Sequence, residues 1–261
     1  MFTGKIHIGE VDLYDEFGLI AVEIGGGMME SHFGISQSII EEKNEYTDKP
    51  YFYGVDRQPI SFSMKFARSN NRKWDYKTKV DFAKLIFAPY YQELKSEECP
   101  QVIYKVICID KSTKVLNGND EGYITLNFRT DAPWAWAPTT IVTKVISGTN
   151  DNNPYTFSLE NKSNVLNWYY PEMEIITTSS EIKIIGDKDK DRPFSFVGLN
   201  NKETIYINNH TKKVIGNQLY PDNYRLDKFN MNWFRLKYGI NNISVYRDCT
   251  LSYKMQYPIA I

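Results

Sequence analysis

The stretch that most constrains this chain is Gly122–Pro138, GYITLNFRTDAPWAWAP. It starts as a strand: Tyr123, Thr125, Asn127 and Arg129 alternate with Ile124, Leu126 and Phe128, so one face is wholly apolar. It breaks at Asp131-Ala132-Pro133 and again at Pro138. Two prolines around two tryptophans cannot continue a ladder, because proline has no N–H and a fixed φ. Large aromatics in an irregular segment need a surface to bury against. The segment therefore reads as the last strand of one domain followed by an anchored connector into a second, with domains over 1–132 and 133–261. The alternative is a bent surface loop within a single domain.

On the N-terminal side the signals are mixed. Short strands fall around Lys5–Ile8 and Leu19–Ile24, and Gly25-Gly26-Gly27 reads as a flexible turn, since no GK[ST] or GxGxxG follows. Asp48-Lys49-Pro50 is turn chemistry, and the Tyr51-Phe52-Tyr53 run beyond it reads as an aromatic loop. Ile60, Phe62, Met64 and Phe66 alternate with Ser61, Ser63 and Lys65, a half-buried strand. Residues 74–88 form the one convincing helix, with an apolar face predicted at Val80, Ala83 and Phe87 and Ile86 beside them, Asp75 at its positive end and Pro89 as its stop. QVIYKVICI at 101–109 is apolar on both faces, as a central strand is. Lys114–Asn117 and Gly122–Phe128 flank the turn GND and read as a hairpin.

Beyond Pro138 helical periodicity disappears. Strands recur every eight to twelve residues, ending in Leu251, Tyr253, Met255 and Tyr257 opposite Ser252, Lys254 and Gln256. That spacing predicts a sandwich or jelly roll. The chain is thus mainly β with one added helix. Its aromatic content of 15%, with 19 Tyr, agrees with strands.

The chemistry-bearing residues are sparse. His7, His32 and His210 lack a second histidine or cysteine at ligand spacing, so no metal is expected. Asp187, Asp189 and Asp191 in GDKDKDR copy the start of a calcium loop, but the sixth position is Arg192 where glycine is required, and lysines interleave. That segment reads as a solvated hairpin tip. No nucleophile–base signature and no cofactor motif is present, so no cofactor and no catalysis are expected. Cys99, Cys108 and Cys249 give no disulfide framework. The 31 basic residues balance 32 acidic ones, which argues against a protein that grips nucleic acid through phosphates. No run reaches membrane-spanning length and the N-terminus lacks an apolar signal region, so synthesis in a cytoplasm and no membrane are expected. Trp168, Tyr169, Tyr170 and Trp233 offer an aromatic set from which a glycan platform could be built, with core packing as the alternative.

An ordered set of segments completes the reading: DKPYFYGVDRQPISFSMKF, KVDFAKLIFAPYYQEL, ITLNFRTDAPWAWAPT, PEMEI, EIKII, FSFVGLNNKETIYIN and FRLKYGINNISVYRDCTLSYKMQY. The set resembles the distal tail protein (Dit) family of long-tailed phages that infect Gram-positive bacteria. The resemblance implies a structural virion protein at the distal end of the tail. It implies an N-terminal β-sandwich with an added α-helix that forms a hexameric ring, and a C-terminal galectin-like sandwich that projects outward. Partners so implied are other copies of the chain, the tail tube protein, the tail-associated lysin or fibre protein, and receptor-binding proteins, with the genome passing through the channel. Candidate inter-subunit contacts are Asp48, Tyr51, Tyr53 and Arg57. A carbohydrate-binding module using Trp168 and Trp233 and a tail-tube subunit are the alternatives.

Overall fold

The structure is a computed structural model and describes residues 4–23, 34–219 and 223–260. The glycine triplet at 25–27 and His32 lie outside the described residues. The chain divides into two compact units, Met1–Pro138 with Ile259–Ile261, and Thr139–Pro258.

The first unit runs β1 (Ile6–Ile8), β2 (Val11–Asp12), α1 (Leu13–Phe17), β3 (Leu19–Ala21), β4 (Gln37–Glu42), β5 (Tyr51–Arg57), β6 (Ser61–Arg68), α2 (Tyr76–Ile86), β7 (Gln92–Ser96), β8 (Ile103–Leu116), β9 (Gly122–Thr130) and β10 (Ala135–Trp136). A nine-stranded sheet takes the order β2-β1-β7-β8-β9-β6-β3, with β10 on β8. The expected alternation in β6 and β9 places Phe62 opposite Phe128 and Met64 opposite Leu126. Met64, Phe66, Leu126 and Phe128 are buried in a core completed by Ile6, Ile8, Leu94 and Val106 from across the sheet.

Helix α2 covers this core. Asp75 caps it, its carboxylate accepting the Thr78 N–H at 2.8 Å. The buried face is Phe82 and Ile86; Ile86 is inward as expected, whereas Val80 and Phe87 are exposed and Phe82 takes their place, which corrects the predicted stripe. Both stripes have helical spacing; Phe82 is the one that meets Phe17, Phe66 and Trp74, at ring centroids 5.7, 6.1 and 5.9 Å away. Removing such a buried ring costs about 3–5 kcal/mol.

The connector is anchored as its composition demands. Asp131 accepts the Trp136 indole N–H at 3.0 Å. Trp134 meets Trp136 edge-on at 6.1 Å, and the Lys105 ammonium stands 4.7 Å from the Trp136 ring. Because Ala135–Trp136 is a strand of the first sheet, the compact units divide after Pro138.

The second unit runs β11 (Thr140–Ile146), β12 (Tyr155–Asn161), β13 (Trp168–Tyr169), β14 (Glu172–Thr177), β15 (Glu181–Gly186), β16 (Phe194–Val197), β17 (Glu203–Asn208), β18 (Lys213–Gly216), β19 (Leu236–Lys237), β20 (Gly239–Val245) and β21 (Cys249–Met255), before β22 (Pro258–Ile259) pairs with β10. A five-stranded sheet, β11-β21-β14-β17-β18, and a four-stranded sheet, β12-β20-β15-β16, form the sandwich, and β13-β19 is a separate ribbon. Leu251, Tyr253 and Met255 point inward as the alternation predicts. Tyr253 packs on Phe157 and Phe234, from other strands and loops, at 6.1 and 5.4 Å.

Candidate interaction sites

The first site is the hairpin β4–β5. All four candidate contact residues lie on it: Asp48 in its turn, and Tyr51, Tyr53 and Arg57 on β5. The predicted aromatic loop is therefore a strand, a correction with a plain cause. Both faces of the ribbon are exposed, so no apolar alternation marks it. The pairing runs from Gln37↔Arg57 to Glu42↔Tyr51 and slips by one residue between Ile40↔Gly54 and Glu41↔Phe52, leaving Tyr53 as the bulge. Tyr53 donates its hydroxyl to Glu42 at 3.1 Å. Ile39, Ile40, Tyr51, Phe52 and Tyr53 are all exposed, Phe52 at 67% and Tyr53 at 65%. No other described strand pairs with the ribbon. Arg57 encloses its Nε with no hydrogen-bond partner among the described residues.

The second site lies in the second unit and brings Trp168 and Trp233 to one patch. The Arg235 guanidinium stacks 4.0 Å over Trp168 while its Nε and Nη2 donate to Asp189 at 2.8 and 2.9 Å. The Lys212 ammonium stands 4.2 Å from the Tyr170 ring and 5.2 Å from the Trp233 ring. Each of these rings thus already carries a cation. Tyr169, by contrast, belongs to the core: it is buried, its ring meets Tyr257 at 4.7 Å, and its hydroxyl accepts the Gln256 N–H at 2.8 Å. Two loops of the patch are tied together by buried Asn209, which donates to the Pro171 carbonyl and accepts from the Phe234 N–H, both at 2.8 Å.

The acidic segment Gly186–Arg192 does not converge its carboxylates. Asp187 accepts from the Asn242 backbone and side chain at 3.0 and 2.8 Å, whereas Asp189 is committed to Arg235. The tip is thus held by an ion pair, which corrects the expected solvated hairpin tip. A carboxylate-and-histidine set does form elsewhere: His7 Nε2 lies 3.8 Å from both Asp12 and Glu97. Lys5 already places its ammonium 3.6 Å from Asp12, and Asp12 also caps α1 by accepting from Tyr14 and Asp15. A cation is therefore built into that set. His7 and Asp12 are close in sequence but Glu97 is far from both, so spacing rules could not find the set.

Among the described residues no helix is long and apolar enough to cross a membrane.

Comparison with known proteins gives a consistent set of matches. The family described as Phage tail protein N-terminal domain matches residues 13–132, and the Phage tail C-terminal domain matches residues 134–255. The SPbeta prophage-derived protein YomH of Bacillus subtilis (strain 168) is 24% identical over 252 residues, covering 93% of this chain and 92% of its own. The solved Dit protein of phage SPP1, described as a paradigm of hub adsorption apparatus in Gram-positive infecting phages, superimposes with a TM-score of 0.66 at 12% identity. It covers 97% of this chain and 98% of its own. A chain of the phage P2 baseplate in its activated conformation with Ca matches at a TM-score of 0.51 and 12% identity, over 96% and 97%.

Proposed function

The chain belongs to the phage tail protein family whose N- and C-terminal domains it matches, with a Dit-like fold, and from that premise we propose that it is a ring-forming hub without catalytic activity at the distal end of the tail. In this reading residues 1–132 build a homohexameric ring between the tail tube and the fibre or lysin protein. The C-terminal domain, expected from 133 onward and compact over Thr139–Pro258, carries the docking surface for receptor-binding proteins. The genome passes through the ring, and 31 basic against 32 acidic residues suits a conduit that does not hold phosphates.

The observation that carries the reading is the β4–β5 ribbon. A two-stranded hairpin is marginal in water by itself. This one exposes Ile39, Ile40, Tyr51, Phe52 and Tyr53 and two edges that no other described strand pairs. An adjacent subunit covers both, and a head-to-tail contact that closes on itself does so for every copy without fibre growth. Asp48, Tyr51, Tyr53 and Arg57 are the contacts.

Native mass spectrometry of the purified chain, alone and mixed with the tube and fibre proteins, tests this. A hexamer is expected, reverting to monomer in a Tyr51→Ser/Tyr53→Ser variant whose unfolding is unchanged. A wild-type chain that stays monomeric in every mixture overturns the reading. One ring per particle, against many stacked rings, separates a hub from a tail-tube subunit.

A further inference from the structure

Two cations in the second unit converge on a single carboxylate, and a third, Lys212, stands near them. Arg235 binds Asp189 through two nitrogens, and Arg192 reaches the same group at 3.8 Å. Lys212 has no carboxylate partner among the described residues; it faces the rings of Tyr170 and Trp233 instead. The patch therefore holds more positive charge than its own acids neutralise. Partial burial, with Arg192 and Arg235 nearby, holds the Lys212 pKa below its ordinary value, so the crowding has a cost.

An anion relieves that cost, and arginine with lysine is the usual pairing for phosphate. The rings decide what accompanies the anion. A neutral sugar meets ring faces already occupied by Arg235 and Lys212. A phosphate group that draws the Lys212 ammonium toward itself frees the faces of Tyr170 and Trp233 for the carbon skeleton attached to it.

We propose that this patch binds a phosphate-bearing glycan or polyol chain, with Lys212 and Arg192 on the phosphate and Tyr170 and Trp233 against the adjoining sugar or polyol. The site lies wholly within the second unit. It goes beyond the hub reading and does not depend on ring formation.

Ligand-observed saturation-transfer NMR on the full chain tests it, with glucose 1-phosphate, glucose and a triglutamate peptide as probes. Glucose 1-phosphate is expected to bind, and glucose and triglutamate to give no signal. A Lys212→Ala/Arg192→Ala variant is expected to weaken binding by at least about ten-fold, while Lys212→Arg retains it. The Asp189–Arg235 pair is untouched in these variants, and an unchanged unfolding temperature checks that they fold. No binding of glucose 1-phosphate, or binding that survives the double variant, overturns the proposal. Equal binding of triglutamate overturns it in favour of an acidic peptide, and equal binding of glucose in favour of neutral-sugar stacking.

Discussion

The Trp74 indole N–H donates to the Gly122 carbonyl at 3.0 Å, while the Trp74 backbone N–H donates to Asp120 at 2.8 Å. The entry to α2 is thereby fastened to the tip of the β8–β9 hairpin, 48 residues away in sequence. Gly122 holds φ +145°, and a Cβ there would fall on the Val115 carbonyl oxygen. Gly122→Ala is expected to destabilise the first unit by about 3 kcal/mol through strain and lost hairpin closure. In calorimetry the transition of that unit moves down and that of the second stays in place.

Asp75 gives a pH dependence with a definite sign. The hydrogen bond from the Thr78 N–H, with its hydroxyl and Arg68, lowers the carboxyl pKa from 3.8 to about 2. A group depressed on folding stabilises above its unfolded pKa and loses that contribution as pH falls toward the folded value. The stability difference between wild type and Asp75→Asn is expected to be constant near neutrality and to close between about pH 4 and pH 2. Denaturant titrations at a series of pH values read it directly.

Glu203 and Arg225 form a buried ion pair in the second unit, with Glu203 fully enclosed and also accepting the Asn200 N–H at 2.9 Å. Glu203→Gln removes the charge that faces the buried guanidinium, and is expected to cost about 3–5 kcal/mol. A Glu203→Leu/Arg225→Met double variant is expected to recover most of that loss, because it removes both desolvated charges. Urea unfolding of the second unit measures both.

The thiols differ in reactivity. Burial pushes the Cys249 thiol up to about 12 and raises that of Cys108 as well. The thiolate is the nucleophile, so iodoacetamide at mildly alkaline pH is expected to modify Cys99 first and leave Cys249 untouched until the chain unfolds. Mass spectrometry of peptides from native and denatured samples reports the order.

What the sequence disclosed was local. The alternation in β6, β9 and β21 predicted their inward faces, because each has one face on a core and one in water. The helix was legible too, but not its face: two apolar stripes at helical spacing run along α2, and only packing on Phe66 and Trp74 selects Phe82. Strand β5 was illegible because neither of its faces is buried. The patch around Trp168 is a long-range product. Arg235 and Asp189 are 46 residues apart, and no periodicity links them. The two tryptophans could be read as a pair, but the cations on their faces could not.

The second unit is an insertion: the polypeptide leaves the first sheet after Pro138 and rejoins it at Ile259, which packs against the first core. Strands β10 and β22 sit on either side of that interruption and pair with each other. A recombination event with breakpoints at those two places would replace the entire second unit as a cassette. Every ladder of the first sheet would keep its register, so the second unit could change without redesign of the first.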